Sequence, residues 1–298
     1  MTDTVRAILA MVASMLSFSA GDTLIKLMGE TLPVGEMLFL RGVVASALLL
    51  AFCSRTGAFA HAQLLLSQRV GWRFLMEALC SVLFFVALVR MSLADVAAIA
   101  QFTPVAVMAG AAVFLGEAVG WRRWLSAGIG FLGVLLIIKP GSSAFQPMAL
   151  VALASVIGVA IRDLITRRMP KALPTSLLAT SSTISGLTVG LAMAPFEQAW
   201  HWPSGTEVAA MAACALFVLG AYVFGIIAMR IGLTSVTSPF RYTYMLFATL
   251  SSLFVFHEQP DAGSLAGIAL IIGAGLYLLH REQIAARKST AAPAAETA

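Results

Sequence analysis

The stretch PFRYTY, residues 239–244, puts an arginine inside a long apolar run, between IGLTSVTS and MLFATLSSLFVF. A charge within a membrane-crossing helix costs at least ~2.5 kcal/mol even on lenient insertion scales, so Arg241 needs a compensating partner. Two chemistries meet that need. A guanidinium can grip the carboxylate of a bound small molecule through paired hydrogen bonds, or it can neutralise a carboxylate on a neighbouring helix. Gln101 lies 140 positions earlier in a similar setting, with Phe102 and Pro104 near it as Tyr242 and Pro239 are near Arg241. Its amide suits an amino or amide group of the same ligand.

Other ionisable residues in apolar runs divide between structural pairing and chemistry. Asp22 and Lys26 are one helical turn apart, a spacing that favours an internal ion pair. Arg162 and Asp163 are adjacent and point different ways around a helix, so each is expected to find its partner elsewhere. Glu77 has no obvious partner on its own helix; it is either a proton carrier or the partner of Arg241. Arg41 and Glu77 fall at different depths, too far apart to pair, and Glu36 sits at a helix start, where the dipole favours it. Glu117 and Glu258 read as structural groups at helix ends. Phe84, Phe85, Tyr222, Tyr242 and Tyr244 either pave an amphipathic cavity or pack against lipid and neighbouring helices. The candidate substrate contacts are therefore Arg241, Gln101, Tyr242, Tyr244, Arg162 and Phe85, with Glu77 and Asp22 as candidate proton-coupling groups.

These residues must be held by membrane helices. The 298-residue chain is 60% hydrophobic and 11% charged, with mean hydropathy +0.93, far too apolar for a soluble protein of this length. Its net charge of +5 forms no basic stripe, which argues against nucleic acid as a partner. Cys53, Cys80 and Cys214 have neither metal nor disulfide spacing and read as small apolar fillers. Ten apolar segments are each long enough to cross a bilayer, near 5–27, 35–52, 72–90, 93–115, 121–138, 147–167, 174–195, 206–230, 233–256 and 262–280. Residues 53–71 have room for a short interfacial helix around Leu64, Leu65 and Leu66. Trp72, Trp121, Trp124, Trp200 and Trp202 fall at segment ends, as belt anchors do. The small-residue stretches AGAA (109–112), SSTISG (181–186) and GAGLY (273–277) allow close helix contact.

The segments repeat. A shift of 141 pairs Ser14 with Ser155, Asp22 with Asp163, Met28 with Met169 and Pro33 with Pro174; a shift of 140 pairs Arg90 with Arg230, Thr103 with Thr243 and Gly133 with Gly273. The recurrence of the first segment at 148–167 also argues against its being a cleaved signal peptide. Five spans per half is an odd number, so the second half enters the membrane upside down. With the N-terminus in the cytoplasm, Arg6, Arg55, Arg69, Arg73, Arg122, Arg123, Arg167, Arg168, Lys171 and Arg230 fall inside. Glu30, Glu197, Glu207, Glu258 and Asp261 fall outside. The expected architecture is an all-α integral membrane protein of ten transmembrane helices in two inverted five-helix repeats, 1–139 and 140–282, followed by a disordered cytoplasmic tail, 283–298. Inverted repeats of this kind enclose a binding site near the midplane.

Several motifs carry a resemblance. The helix ends LGE (115–117) and FHE (256–258), the Gly-rich helices GIGFLGVLLI and GIALIIGAGLYLLHRE, and PFRYT followed by HEQPD resemble the drug/metabolite transporter superfamily in its ten-helix EamA-type branch of bacterial exporters. The resemblance covers nearly the whole chain. It implies a secondary transporter in the bacterial inner membrane, with both termini cytoplasmic. Export of amino acids or related metabolites is the leading expectation, uptake or facilitated diffusion of another metabolite the alternative. An intramembrane enzyme is the remaining class, but there is no H-E-x-x-H, G-x-S-x-G or phosphate-cradling motif. No cofactor or metal is expected; a small-molecule substrate and the lipid bilayer are the expected partners, with the chain monomeric or weakly dimeric.

Overall fold

The computed structural model describes residues 3–116, 119–140, 145–170, 172–197, 200–231 and 237–291, and every regular element among them is helical. In hydrocarbon a helix satisfies its own backbone hydrogen bonds, which explains the uniformity. The first repeat comprises α1 (Asp3–Met28), α2 (Val34–Thr56), α3 (Gln68–Arg90), α4 (Leu93–Ala100), α5 (Thr103–Leu115) and α6 (Trp121–Ile138). The second comprises α7 (Pro147–Arg167), α8 (Thr175–Met193), α9 (Gly205–Ile231), a 3₁₀ turn (Ser238–Tyr242), α10 (Thr243–Phe254) and α11 (Ala262–Ala291). Among the described residues seven segments are long and apolar enough to cross a membrane, with α4 and α5 counted as one. Ala127–Ile138 and Ala262–Tyr277 are shorter apolar stretches. The expected span 233–256 begins outside the described residues, so only its 237–256 portion is described, with regular structure over Ser238–Phe254.

The helix contacts have the symmetry of the repeat. The four most extensive are α1 with α9, α2 with α8, α6 with α11 and α3 with α7. Exchanging the repeats turns α1·α9 into α7·α3 and maps the other two pairs onto themselves. Both self-mapped pairs are joined by bare backbone. A Cβ on Gly35 would lie 2.9 Å from the Gly190 carbonyl oxygen, and one on Gly190 2.5 Å from that of Gly35. Gly133 and Gly267 stand in the same relation, at 2.7 and 2.5 Å. Glycine is required there because any side chain would separate the helices. Of the small-residue stretches read from sequence, Gly110 and Gly275 accept the Leu164 and Tyr242 side chains, whereas Gly186 is buried with nothing within 4 Å of its Cβ position.

Both repeats carry a turn at the same place, before α5 in one and before α10 in the other. After Ala100 the chain turns through Gln101 and Phe102 before α5, with Pro104 in its first turn; the second repeat makes its turn at Ser238–Tyr242 before α10. Pro104 has no N–H for a continuing ladder, so the helix ends and restarts. The repeat mates Thr103 and Thr243 bridge the two breaks identically, each hydroxyl donating to the carbonyl three residues back, Ala100 and Phe240, at 2.6 Å.

Other expectations are met or revised. Residues Ala58–Leu66 form a 3₁₀ helix whose Leu64 and Leu65 pack against Cys53, Val70, Leu173 and Leu177. All three cysteines are buried and free. Trp72, Trp121, Trp124 and Trp202 are exposed, whereas Trp200 is half-buried, its ring tilted against Phe39 at 5.5 Å and its indole N–H donating to Glu197 at 3.2 Å. The tail is also revised. Helix α11 runs on to Ala291 because AARKSTA contains good helix formers; residues 292–298 lie outside the described residues.

Candidate functional site

Polar groups lie at three levels between the repeats. At the end carrying the basic loops, Glu77 of α3 is the hub. Its carboxylate accepts from Arg162 of α7 at 3.1 Å and from the Ser182 hydroxyl of α8 at 3.1 Å, and Arg73, one turn earlier, lies 3.6 Å away. Arg73 donates further to Thr166, Ser182 and Ser181. Arg162 also reaches Asp163 at 2.8 Å. Three helices, two from one repeat and one from the other, are thus tied by a network whose carboxylate hub is 13% exposed.

This corrects two sequence expectations. Glu77 pairs with Arg73 and Arg162, not with Arg241; the i−4 spacing of Arg73 supplied a same-helix partner after all. Arg162 and Asp163 pair with one another, because the long arginine stem folds back across its neighbour.

At the opposite end, Lys26 of α1 donates to both oxygens of Glu258 at 2.6 and 2.7 Å and to the Met91 carbonyl at 2.6 Å, with the Phe256 ring 4.6 Å away. The expected Asp22–Lys26 pair is therefore not formed. Lys26 finds a stronger double acceptor 232 residues away. Lys139, just after α6, donates to Asp261, which also accepts from the Ser264 N–H. These bonds hold the Asp261 carboxyl below the usual carboxylate range. Ser204 and Glu207 form a reciprocal capping box at the start of α9. The sequence SGTE already signals it.

Between these ends, Asp22 accepts from the Tyr244 hydroxyl of α10 at 2.6 Å. Arg41 of α2 lies 4.7 Å above the ring of Phe85 on α3, itself 2% exposed. Tyr222 of α9 meets Phe18 of α1 edge-on at 5.6 Å. Tyr222 is 54% exposed, yet its hydroxyl is within electrostatic range of Glu77, Arg162, Arg41 and Arg73. Helices of both repeats supply this middle level, α1, α2 and α3 from the first and α9 and α10 from the second.

The sequence-predicted residues are distributed unevenly around it. Tyr244, Phe85 and Asp22 belong to this middle level, and Arg162 and Glu77 to the basic end. Gln101 donates to the Arg241 carbonyl at 3.4 Å, so the repeat mates meet where the two helix breaks face one another, and the Arg241 residue is exposed. Tyr242 lies against Gly275 in an apolar groove of about 520 Å³, with Phe240, Leu246 and Leu276. Sequence reasoning left out Arg41, although it has the signal that singled out Arg241: an arginine in an apolar run with no carboxylate three or four positions away. Glu117 lies outside the described residues. Among the described residues no group of three or more His, Cys, Asp or Glu could hold a metal ion.

The model of the EamA-like transporter family matches this chain twice, at residues 5–139 and 146–280. An S-adenosylmethionine uptake transporter of Rickettsia felis is 29% identical over 91% of each chain. A pseudopaline exporter of Pseudomonas aeruginosa is 28% identical over 91% of this chain and 94% of its own. A riboflavin transporter of Rhizobium johnstonii is 28% identical over 64% of this chain and 63% of its own. A solved crystal structure aligns over 94% of this chain and 99% of that one with a TM-score of 0.62 at 21% identity, a likeness of fold.

Proposed function

The chain belongs to the EamA-like transporter family, and from that premise we propose that it carries small metabolites bearing an amino-acid group across the bacterial inner membrane by alternating access. One observation carries the reading. Asp22 with Tyr244 and Arg41 over Phe85 form a polar, aromatic middle level between ion-paired ties, Glu77 with Arg162 towards one end and Lys26 with Glu258 towards the other, and we read that level as the wall of a substrate chamber. A carrier that opens to one side at a time needs a central site and a separable closure at each end. The basic loops favour both termini in the cytoplasm. Arg241 and Gln101, exposed or half-buried at the facing breaks, form a second polar station on the route to the chamber. The relatives named for S-adenosylmethionine and for pseudopaline make compounds with an amino-acid headgroup the first to try.

Counterflow into proteoliposomes of purified protein tests the reading. Labelled S-adenosyl-L-methionine should accumulate against an internal pool of the same compound, an exchange that an open pore does not sustain. A broad panel of amino-acid-bearing compounds that gives no counterflow would overturn the substrate class, and equal leakage in both directions without exchange would overturn the carrier mechanism. The relatives' names include both uptake and export. Loading the pool on one side and then the other resolves the direction, and the same preparation gives the oligomeric state by size.

A further inference from the structure

Four of the charged groups among the described helices of the chamber satisfy one another: Arg73 and Arg162 close on Glu77, and Arg162 also closes on Asp163. Asp22 and Arg41 do not follow that pattern. Among the described residues no Lys or Arg nitrogen lies within 4 Å of the Asp22 carboxylate, which accepts from the neutral Tyr244 hydroxyl. No carboxylate oxygen lies within the same distance of Arg41, which is held over Phe85. The two lie within electrostatic range of one another, and Cys214 of α9, whose thiol donates at 3.5 Å to the carbonyl of Gly21 beside Asp22, is within range of both. The repeat sharpens the contrast. Asp163 occupies in the second half the position of Asp22 in the first, and it is closed by a guanidinium at 2.8 Å.

Two opposite charges kept near one another but unpaired are costly inside a membrane protein. A ligand with complementary charges removes that cost. We infer that Asp22 and Arg41 are the two arms of a subsite that reads a zwitterionic amino-acid headgroup, the ammonium on Asp22 and the carboxylate on Arg41. The inference rests on the carrier reading above and deepens it. The Tyr244 hydroxyl fixes one carboxylate oxygen and leaves the other for the ammonium. The Phe85 face steadies the guanidinium so that its planar fork meets a carboxylate with two bonds. The Phe18–Tyr222 aromatic pair lines the adjoining wall and suits a planar group attached to the headgroup.

The test compares three probes bound to the detergent-purified full chain: S-adenosyl-L-methionine, its decarboxylated form and its N-acetyl form. The parent should bind each altered form about tenfold or more weakly, the loss expected of one charge-assisted contact. Arg41→Gln should abolish the decarboxylation penalty and keep the acetylation penalty; Asp22→Asn should do the reverse. Should Arg41→Gln fail to fold, Arg41→Lys carries the test: it keeps the cation without the fork, and the decarboxylation penalty should shrink without vanishing. A parent that binds the decarboxylated form as tightly as the intact compound overturns the subsite and leaves the carrier reading standing. Variants that leave both penalties intact do the same. A parent that binds and exchanges none of the amino-acid-bearing panel overturns both.

Discussion

Replacing Glu77 by glutamine keeps the shape of the side chain and removes its charge, leaving Arg73 and Arg162, 10% and 23% exposed, without the carboxylate they share. Breaking a buried ion pair by removing one partner costs roughly 3–5 kcal/mol. The lower end applies here, because Arg162 keeps Asp163 at 2.8 Å and Arg73 keeps the Ser181, Ser182 and Thr166 hydroxyls. A loss of about 3 kcal/mol corresponds to a fall in Tm of about 5 °C for a chain of 298 residues, whose unfolding entropy is on the order of 2.1 cal/mol/K per residue. Thermal unfolding of the detergent-solubilised protein, followed by size-exclusion recovery, measures it. A double-mutant cycle with Arg162→Gln then isolates the pair, and the double variant should be more stable than the sum of the two single losses predicts. Strict additivity, or a Glu77→Gln protein as stable as the parent, would refute the hub. If such a stable variant had also lost the proton dependence of transport, the proton-carrier alternative would replace it.

Three further outcomes are expected. Gly267→Leu forces a side chain into the Gly133 carbonyl, 2.5 Å from the Cβ position, so the chain should fail to yield a monodisperse peak, whereas Gly128→Leu, at an exposed position where a Cβ meets nothing within 4 Å, should behave as the parent in the same assay. Because the Asp261 carboxyl titrates below its unfolded value, its contribution is fully present above the unfolded pKa and is lost as pH falls through the folded one. Acidification should therefore lower Tm by a step that Asp261→Asn lacks, a small one because the group is 54% exposed. Arg241→Ala should lower transport of the substrate panel while membrane insertion and thermal stability stay at parental values; a variant that transports the panel as well as the parent does would remove Arg241 from the route.

The fold was legible largely because the repeat left marks that apolar chance matches do not. Asp22 with Asp163 and Thr103 with Thr243 set the register, and the structure places Thr103 and Thr243 in identical hydroxyl bridges. Pairing was much less legible. Local spacing offered Lys26 the carboxylate of Asp22, but the contest was decided by Glu258, brought near by the approach of α1 to α10 and the loop after it. Sequence distance says nothing about such approaches. The Arg73–Glu77 spacing was visible and went unused, since it also required knowing that both side chains face α7 and α8. Arg41 was missed for the opposite reason: a group that is read through its lack of a partner can be recognised only once the surroundings are known.

The glycine crossings of α2 with α8 and of α6 with α11 restrict how the two halves can move. Where main chain rests directly on main chain there are no rotamers to rearrange, so each crossing can turn about its point of touch but has little freedom to slide or part. Whatever change of shape the molecule undergoes is then geared through two axles, and the helices free to swing are those that line the chamber.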